Sequence, residues 1–544
     1  MATDYIKALN AGTGLNPTEI IDGLMAAQRG PAADKITKAR EEKTVSISGL
    51  GVLKQTLTSA QTGLTSLEGT TGLTLSNSGT AIAMTIADTS IADAFSHKVE
   101  VSQLATNHTL VFSGFTSETQ SLGSGNLAFE FGGWANNTFS ANSDRSINTI
   151  TLANGADSLS KLRDAINASD MQVTATIIKT SDSNYSLMLK SREGAAHAMK
   201  ITASADSGSS ALAGIDFTTN ISGNSIEQVA AQDVSMTLDG VTITRDSNTV
   251  DDLISGVSLK LNAVTTASGG DTLSATYSED TAMLAMQALV TQINTMTTEL
   301  SRLTSRGVTA GTTKGEMAGD PFLNSQLRTL KKMTTTAITG FGSETLYMTN
   351  FGVETQRDGT IKVNETKFKA AFAANPVGFA AIMDSRAVSS NSQVTTSLSG
   401  TNYVPGSYDL AISGGSGTIG GTTLSKSGTT YSAASGDAQG LSLDYSGSDI
   451  TSSILIGRSM AQTLIDFTTE LLRNDGTIEK KITAFNTGIA DDDLAMTELD
   501  ERMDKIRSRY VSRFSAMEAV SNQMRQTGEA LTNMMDAWRS SLDN

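Results

Sequence analysis

Histidine is the first residue type to search for chemistry, because the chain has no cysteine to offer a thiolate. His97, His108 and His197 stand at spacings that share neither helical nor strand periodicity. They do not converge on one metal, and each reads as a surface or strand residue. No GxSxG elbow, HExxH pair or P-loop occurs. Gly415-Ser416-Gly417-Thr418-Ile419-Gly420 fits GxGxxG in form, but Gly421 and Thr422 lead into another strand rather than a helix, which makes it a flexible β-turn. Asp491-Asp492-Asp493 lacks the turn glycine and distal glutamate of a calcium loop. Its place before Leu494 predicts an N-terminal cap for the last helix. Trp134, in a Gly-Gly-Trp-Ala-Asn-Asn run, predicts a half-buried anchor for a small β-domain. With no nucleophile, base and orienter in view, an enzyme is the least favoured reading, and no catalytic, cofactor-binding or metal residue is named.

Composition narrows the classes further. The chain has 544 residues, too many for one core, so three or four domains are expected. Aromatics are only 5% and glycine is plentiful at 48, which suits many short strands and turns. A net charge of −16 without clustered Lys and Arg disfavours nucleic acid and anionic membrane surfaces. Absence of cysteine excludes disulfides and suits a protein that works outside the cell. The opening MATDYIKALNAGTG lacks the basic start and apolar core of a cleaved secretory signal, and no apolar run is long enough for a membrane span.

The elements that could position a functional surface lie at the two ends. Ile36, Lys43, Leu50, Leu57 and Leu64 recur every seven residues, with Ala39, Ser46, Leu53, Ala60 and Leu67 three places on. Near the C-terminus the series is Met503, Tyr510, Met517, Met524, Leu531 and Trp538, with Ile506, Val520 and Met534 in the companion row. Seven-residue spacing puts each series on one helical stripe, and a stripe needs another helix to cover it: the opposite terminus or a neighbouring copy. The methionines could also form an adaptable recognition surface. Ile36, Leu50, Leu53, Leu57, Leu64, Met503, Ile506, Tyr510, Met517, Met524, Leu531 and Trp538 are therefore the candidate packing and assembly seam.

Between the ends the period changes. Asn16-Pro17-Thr18-Glu19 predicts a helix start, Gly30-Pro31 an interruption, and a longer helix should follow to about Leu67. Residues 1–15 carry little pattern and are expected to be flexible in the isolated molecule. Strands are expected at 97–104, 126–131, 173–178 and 185–189, with a short helix at 159–166 and a turn at Asp239-Gly240. Helix returns at Glu279, around 322–338 and at 365–374, then again from about Ser459 after a Ser/Gly/Thr-rich β stretch.

That order predicts an α+β multidomain fold, with coiled-coil-like helical termini packed together and nested, mainly-β insertion domains. The expected divisions are a terminal leg region (1–42 plus 500–544) and a helical inner domain (43–78 plus 279–389 and 457–499). Beyond these come a β domain (79–111 plus 232–278), an outer α+β domain (112–231) and an inserted β module (390–456). An internal echo accompanies them: Gly240-Val241-Thr242-Ile243, then Gly256-Val257-Ser258-Leu259, resembles Gly421-Thr422-Thr423-Leu424, then Gly440-Leu441-Ser442-Leu443. It predicts that the inserted module is related to the earlier one.

Several ordered stretches resemble the flagellar hook-associated protein 2 family of filament caps. They are Gly14-Leu15 with Ile20 to Pro31, Ser48 to Lys54, Val99 to Ala105, Leu238 to Arg245 with Leu253 to Val257, Met317 to Asp320, Phe351 to Val353 with Arg357 to Thr360, and Phe514 to Glu518 with Leu531. Gly30 and Lys43 depart from the expected apolar helix, the module at 390–456 is not general to the family, and 112–230 falls in its most variable region. The resemblance implies a non-enzymatic protein without cofactors, secreted through the flagellar type III export apparatus with a cytoplasmic chaperone. It implies a homo-oligomeric, pentamer-like ring at the distal tip of the flagellar filament that promotes folding and insertion of exported flagellin. Another axial subunit (flagellin or a hook–filament junction protein) and a surface adhesin that binds a host surface are the alternatives.

Overall fold

The computed structural model describes residues 16–135, 137–220, 225–266, 269–308, 313–342 and 345–542; the expected flexibility of 1–15 falls outside them. Helix α1 (Pro17–Thr65) begins as its sequence predicts, with the Asn16 side chain accepting the Glu19 N–H. It does not break at Gly30-Pro31. Proline inside a helix costs about 3 kcal/mol through its missing N–H and its clash with the preceding turn. Met25 and Ala33, on either side of it, are buried against Leu499 and Met503 of the last helix, and that packing keeps the helix continuous across the fault.

From α1 the chain forms β1 (Leu73–Asn77), β2 (Ile82–Ile86) and β3 (Phe95–Gln103), then leaves to build an outer domain. That domain contains β4 (Asn107–Phe115), β5 (Gly125–Ala135), β6 (Thr138–Ala141), β7 (Asn148–Leu152), α2 (Leu159–Asn167), β8 (Thr174–Ser181), β9 (Asn184–Glu193), β10 (Ala198–Ala205), the single turn α3 (Ser210–Ala213) and β11 (Glu227–Val229). Its sheets run β10-β5-β6, with β7 also on β5, and β11-β4-β9-β8. Phe129, Leu187, Ile201 and Phe217 close its core with Leu162 and Ile166 of α2.

The chain returns through β12 (Val234–Leu238), β13 (Val241–Arg245), β14 (Thr249–Ile254), β15 (Val257–Leu261) and β16 (Asp271–Tyr277). One sheet is ordered β1-β16-β3-β12-β13, the other β14-β15-β2. Their inward-facing Val99, Val101, Met236, Val257, Leu259 and Leu273 form a separate core. The β12–β13 hairpin turns at Asp239-Gly240, with φ of +49° and +85°, the left-handed pair that a two-residue turn matched to strand twist requires.

Helices α4 (Glu279–Thr304) and α5 (Pro321–Lys332), the hairpin β17 (Val353–Thr355) and β18 (Ile361–Val363), and α6 (Glu365–Ala374) follow. Helix α7 (Pro376–Met383) escaped the sequence reading, although Asn375-Pro376 repeats the start signal of Asn16-Pro17 and the Asn375 side chain accepts the Gly378 N–H at 2.7 Å. The inserted module then supplies β19 (Arg386–Ser389), β20 (Thr395–Leu398), β21 (Gly406–Ser413), β22 (Ser416–Ile419), β23 (Thr422–Thr423), β24 (Ser425–Ser427), β25 (Thr430–Ser432), β26 (Leu441–Asp444) and β27 (Ile450–Gly457). The GxGxxG look-alike is strand β22 between two glycine turns, with no helix behind it. Helices α8 (Met460–Leu472) and α9 (Thr477–Leu542) complete the chain. The largest core joins the α1 leucines to Met286, Leu289, Ile293, Met296 and Leu300 of α4, with Phe368, Phe379 and Leu464 around them.

Candidate functional site

The candidate seam divides into three parts along α1 and α9. Leu50, Leu53, Leu57 and Leu64 are fully buried in the helical core. Next comes a small cluster in which Ile36, Ile506 and Tyr510 are half-buried beside buried Ile21, Met25, Ala33 and Met503. Beyond it, Met517, Met524, Leu531 and Trp538 are 47%, 71%, 52% and 69% exposed, and their companions Val520 and Met534 are exposed as well. The seven-residue pattern thus continues on a helix whose last apolar stripe faces outward.

Ion pairs fix how the two helices lie together. Asp22 meets Arg507 at 2.7 Å, Arg29 meets Asp500 at 2.8 Å, Arg40 meets Asp493 at 3.3 Å, Lys43 meets Asp492 at 2.6 Å and Lys54 meets Glu479 at 2.7 Å. One number rises as the other falls, so α1 and α9 are antiparallel. The exposed pairs among these contribute about 0–1 kcal/mol each, so their effect is mainly on register; Lys43–Asp492 is better shielded from water.

Asp491-Asp492-Asp493 does not cap a helix: all three lie inside α9, and Asp492 and Asp493 hold α1. The N-terminus that the sequence suggested there does not form, because α9 already runs unbroken from Thr477. Lys43, which interrupts the apolar row, is explained by the same contact: its ammonium also donates to the Gly488 carbonyl at 2.9 Å. Lys43→Ala leaves the poorly exposed Asp492 carboxylate without its cation, a loss expected to cost about 1–3 kcal/mol. Thermal melting followed by circular dichroism should show the frame transition moving down.

Buried polar groups were the least legible part of the chain. His108, on β4, is fully buried; its Nδ1 accepts the Met199 N–H at 2.9 Å, so the neutral ring carries its proton on Nε2 and donates to Glu227 at 2.9 Å. Burial holds its pKa below the usual histidine range, against the opposing pull of Glu227. His197 is neither a surface nor a strand residue: it is buried in a short 3-10 turn at the joint with the β domain, where Arg145 donates to its Nδ1 and Asp246 lies 3.5 Å away. His97 sits on β3 and meets Asp239 at 2.8 Å. Trp134 is half-buried, its Nε1 donating to the Met199 carbonyl at 3.1 Å beside the rings of Phe139 and Phe217.

Asp384, at the end of α7, accepts the Thr89 hydroxyl at 2.5 Å and so ties the β2–β3 loop to the helical core. Burial pushes its carboxyl above the usual carboxylate range, against the Thr89 hydrogen bond and the nearby Arg386 charge. An acid whose folded pKa is raised contributes stability fully present below its unfolded pKa and lost as pH rises through the folded value. Asp384→Asn is therefore expected to melt above the parent at pH 7, with the difference closing below about pH 4. Paired melts across that range check it.

Among the described residues no three His, Cys, Asp or Glu side chains are placed to hold a metal ion. No described helix is long and apolar enough to cross a membrane.

Comparison with known proteins agrees with this architecture. The family described as flagellar hook-associated protein 2 C-terminus matches residues 231–526, and the one described as flagellar hook-associated protein 2 N-terminus matches residues 13–108. A flagellar hook-associated protein 2 of Escherichia coli O157:H7 is 29% identical over 443 residues, covering 79% of this chain and 90% of its own. An A-type flagellar hook-associated protein 2 of Pseudomonas aeruginosa is 24% identical over 376 residues, covering 65% and 75%. The crystal structure of the D1, D2 and D3 domains of an Escherichia coli flagellar cap protein superposes with a TM-score of 0.52 at 23% identity, covering 80% of this chain and 99% of the other; it shares the fold. Two family matches that together reach from the first helix to the last, over an uninterrupted pair of antiparallel terminal helices, settle the assignment: the chain belongs to the flagellar hook-associated protein 2 family, the caps of bacterial flagellar filaments.

Proposed function

We propose that this chain is secreted through the flagellar export channel and closes, as a homo-oligomeric ring, over the distal tip of the filament, where it receives exported flagellin and guides its folding and insertion. The observation that carries the reading is the far part of α9. At 1.5 Å per residue its 66 residues reach about 100 Å, and the part from Met517 onward presents Met517, Met524, Leu531 and Trp538 to the outside. An apolar helical stripe of that length is costly in water and pays back only against another helix. Residues 1–42 with 500–544 then act as legs that grip neighbouring copies or filament subunits. The helical inner domain (43–78, 279–389, 457–499) carries the β domain (79–111, 232–278), the outer domain (112–231) and the module at 390–456 as a plate.

Family membership supports the tip location, and the separate hydrophobic cores of the β layers support a rigid plate on helical legs. Light scattering with negative-stain imaging of the purified full-length chain tests the assembly. Closed rings or stacked double rings are expected; long open fibres would make it a filament subunit instead.

A further inference from the structure

The β domain and the inserted module follow one plan. In the β domain the sheets are β1-β16-β3-β12-β13 and β14-β15-β2; in the module they are β19-β27-β21-β22-β23 and β24-β25-β26-β20. Taken in chain order, β1, β2, β3, β12, β13, β14, β15 and β16 correspond to β19, β20, β21, β22, β23, β25, β26 and β27. Strand β24 is the one addition, and every equivalent pairing is antiparallel.

The match extends to individual residues. In each copy the first residue of the first strand pairs with the last residue of the last strand, Leu73 with Tyr277 and Arg386 with Gly457. Each last strand then feeds a helix capped by serine, Ser278 or Ser459. Gly256 and Gly440 precede equivalent strands, at φ of +73° and +90°, and each carbonyl accepts the N–H of the residue after the second strand, Ala87 or Ser399, at 2.9 Å. A Cβ on either glycine would collide with the backbone there, 2.5 Å from the Asp88 carbonyl oxygen or 1.9 Å from that of Ser399. The hairpin turns also agree: Asp239-Gly240 has φ of +49° and +85°, Gly420-Gly421 +51° and +82°. The Gly-led sequence echo falls on these equivalent positions.

Apart from the added β24, the copies differ at one connection. Between β3 and β12 the first copy carries the whole outer domain, whereas β21 and β22 are joined by the turn Gly414-Gly415, in which Gly414 is exposed and Gly415 half-buried. We infer that residues 386–457 are a second copy of the β domain, a closed module held by two neighbouring strand ends, and that Gly414-Gly415 is its counterpart of the place where the first copy bears the outer domain. The buried apolar core of this module draws only on residues 387–456. At its base Arg458, paired with Asp466 of α8, donates to the Thr401 and Tyr403 carbonyls and ties the module to the helical frame. Its two ends lie on paired strands about 5 Å apart, close enough for a two-residue turn to join them. The inference does not depend on the capping role.

Two changes to the full chain test it. In the first, a further copy of residues 106–232, whose ends already pair at Thr106 and Gln232, is inserted between Gly414 and Gly415. The fluorescence contributed by the half-buried Trp134 should double while the parent melting transition is retained; the same insertion between Ser452 and Ser453, inside β27, should unfold the module. Unfolding at the glycine turn, or equal tolerance at both places, overturns the equivalence. In the second, residues 387–456 are replaced by Asn-Gly. The helical frame should keep a cooperative melt within a few degrees of the parent, and loss of that transition overturns the claim of a closed module.

Discussion

Replacing Leu53 with Asp is expected to abolish the cooperative melt of the helical frame. Leu53 has no exposed surface and sits where α1 meets α4 in the largest core of the chain. Removing its side chain alone costs about 2–5 kcal/mol through lost burial and an incompletely filled cavity. A carboxylate in its place adds several kcal/mol more, or is forced to protonate at neutral pH. Set against a typical domain stability of about 5–15 kcal/mol, the sum leaves the frame marginal or unfolded. Leu50→Asp and Leu57→Asp should behave alike. The neighbouring Val52→Asp is the control: Val52 is 47% exposed, and its change should stay within about 0.5 kcal/mol. The outer domain keeps its own core, so Trp134 fluorescence should survive in the Leu53 variant. A Leu53→Asp protein that melts like the parent would mean this face is not core.

Removing residues 1–15 together with 520–544 should have the opposite signature, a normal fold without capping. The deleted part of α9 holds Met524, Leu531, Met534 and Trp538, all more than half exposed, so little buried surface is lost with it. The antiparallel pairs from Asp22–Arg507 to Lys54–Glu479 remain. Melting should therefore match the parent, while filament tips should no longer be closed by the protein. Undiminished capping would refute the leg role of the termini.

The sequence showed the elements whose burial repeats at a regular interval. The seven-residue rows of α1 and α9, the 3.6-residue pattern of α4 and the alternating strands of the β domain all expose their partner face in the order of the residues. It misled where tertiary packing overrides a local signal. Pro31 breaks helices in isolation but not between Met25 and Ala33 packed on α9, and an aspartate triplet that resembles a cap becomes an interhelical clamp once Lys43 and Arg40 face it. Asp384 and the His197 joint were invisible because their partners, Thr89 and Asp246, are distant in sequence and carry no spacing rule. The exposed end of the seam was legible as a pattern only; periodicity says that a stripe exists, and not what covers it.

The central claim is that this protein closes the growing filament. The direct measurement is the partition of flagellin between filament and medium in the source bacterium after deletion of this gene, with and without the full chain supplied in trans. The account predicts that flagellin escapes as soluble monomer and filaments fail to grow without the chain, and that supplying it restores both. Filaments of normal length in its absence would contradict the account.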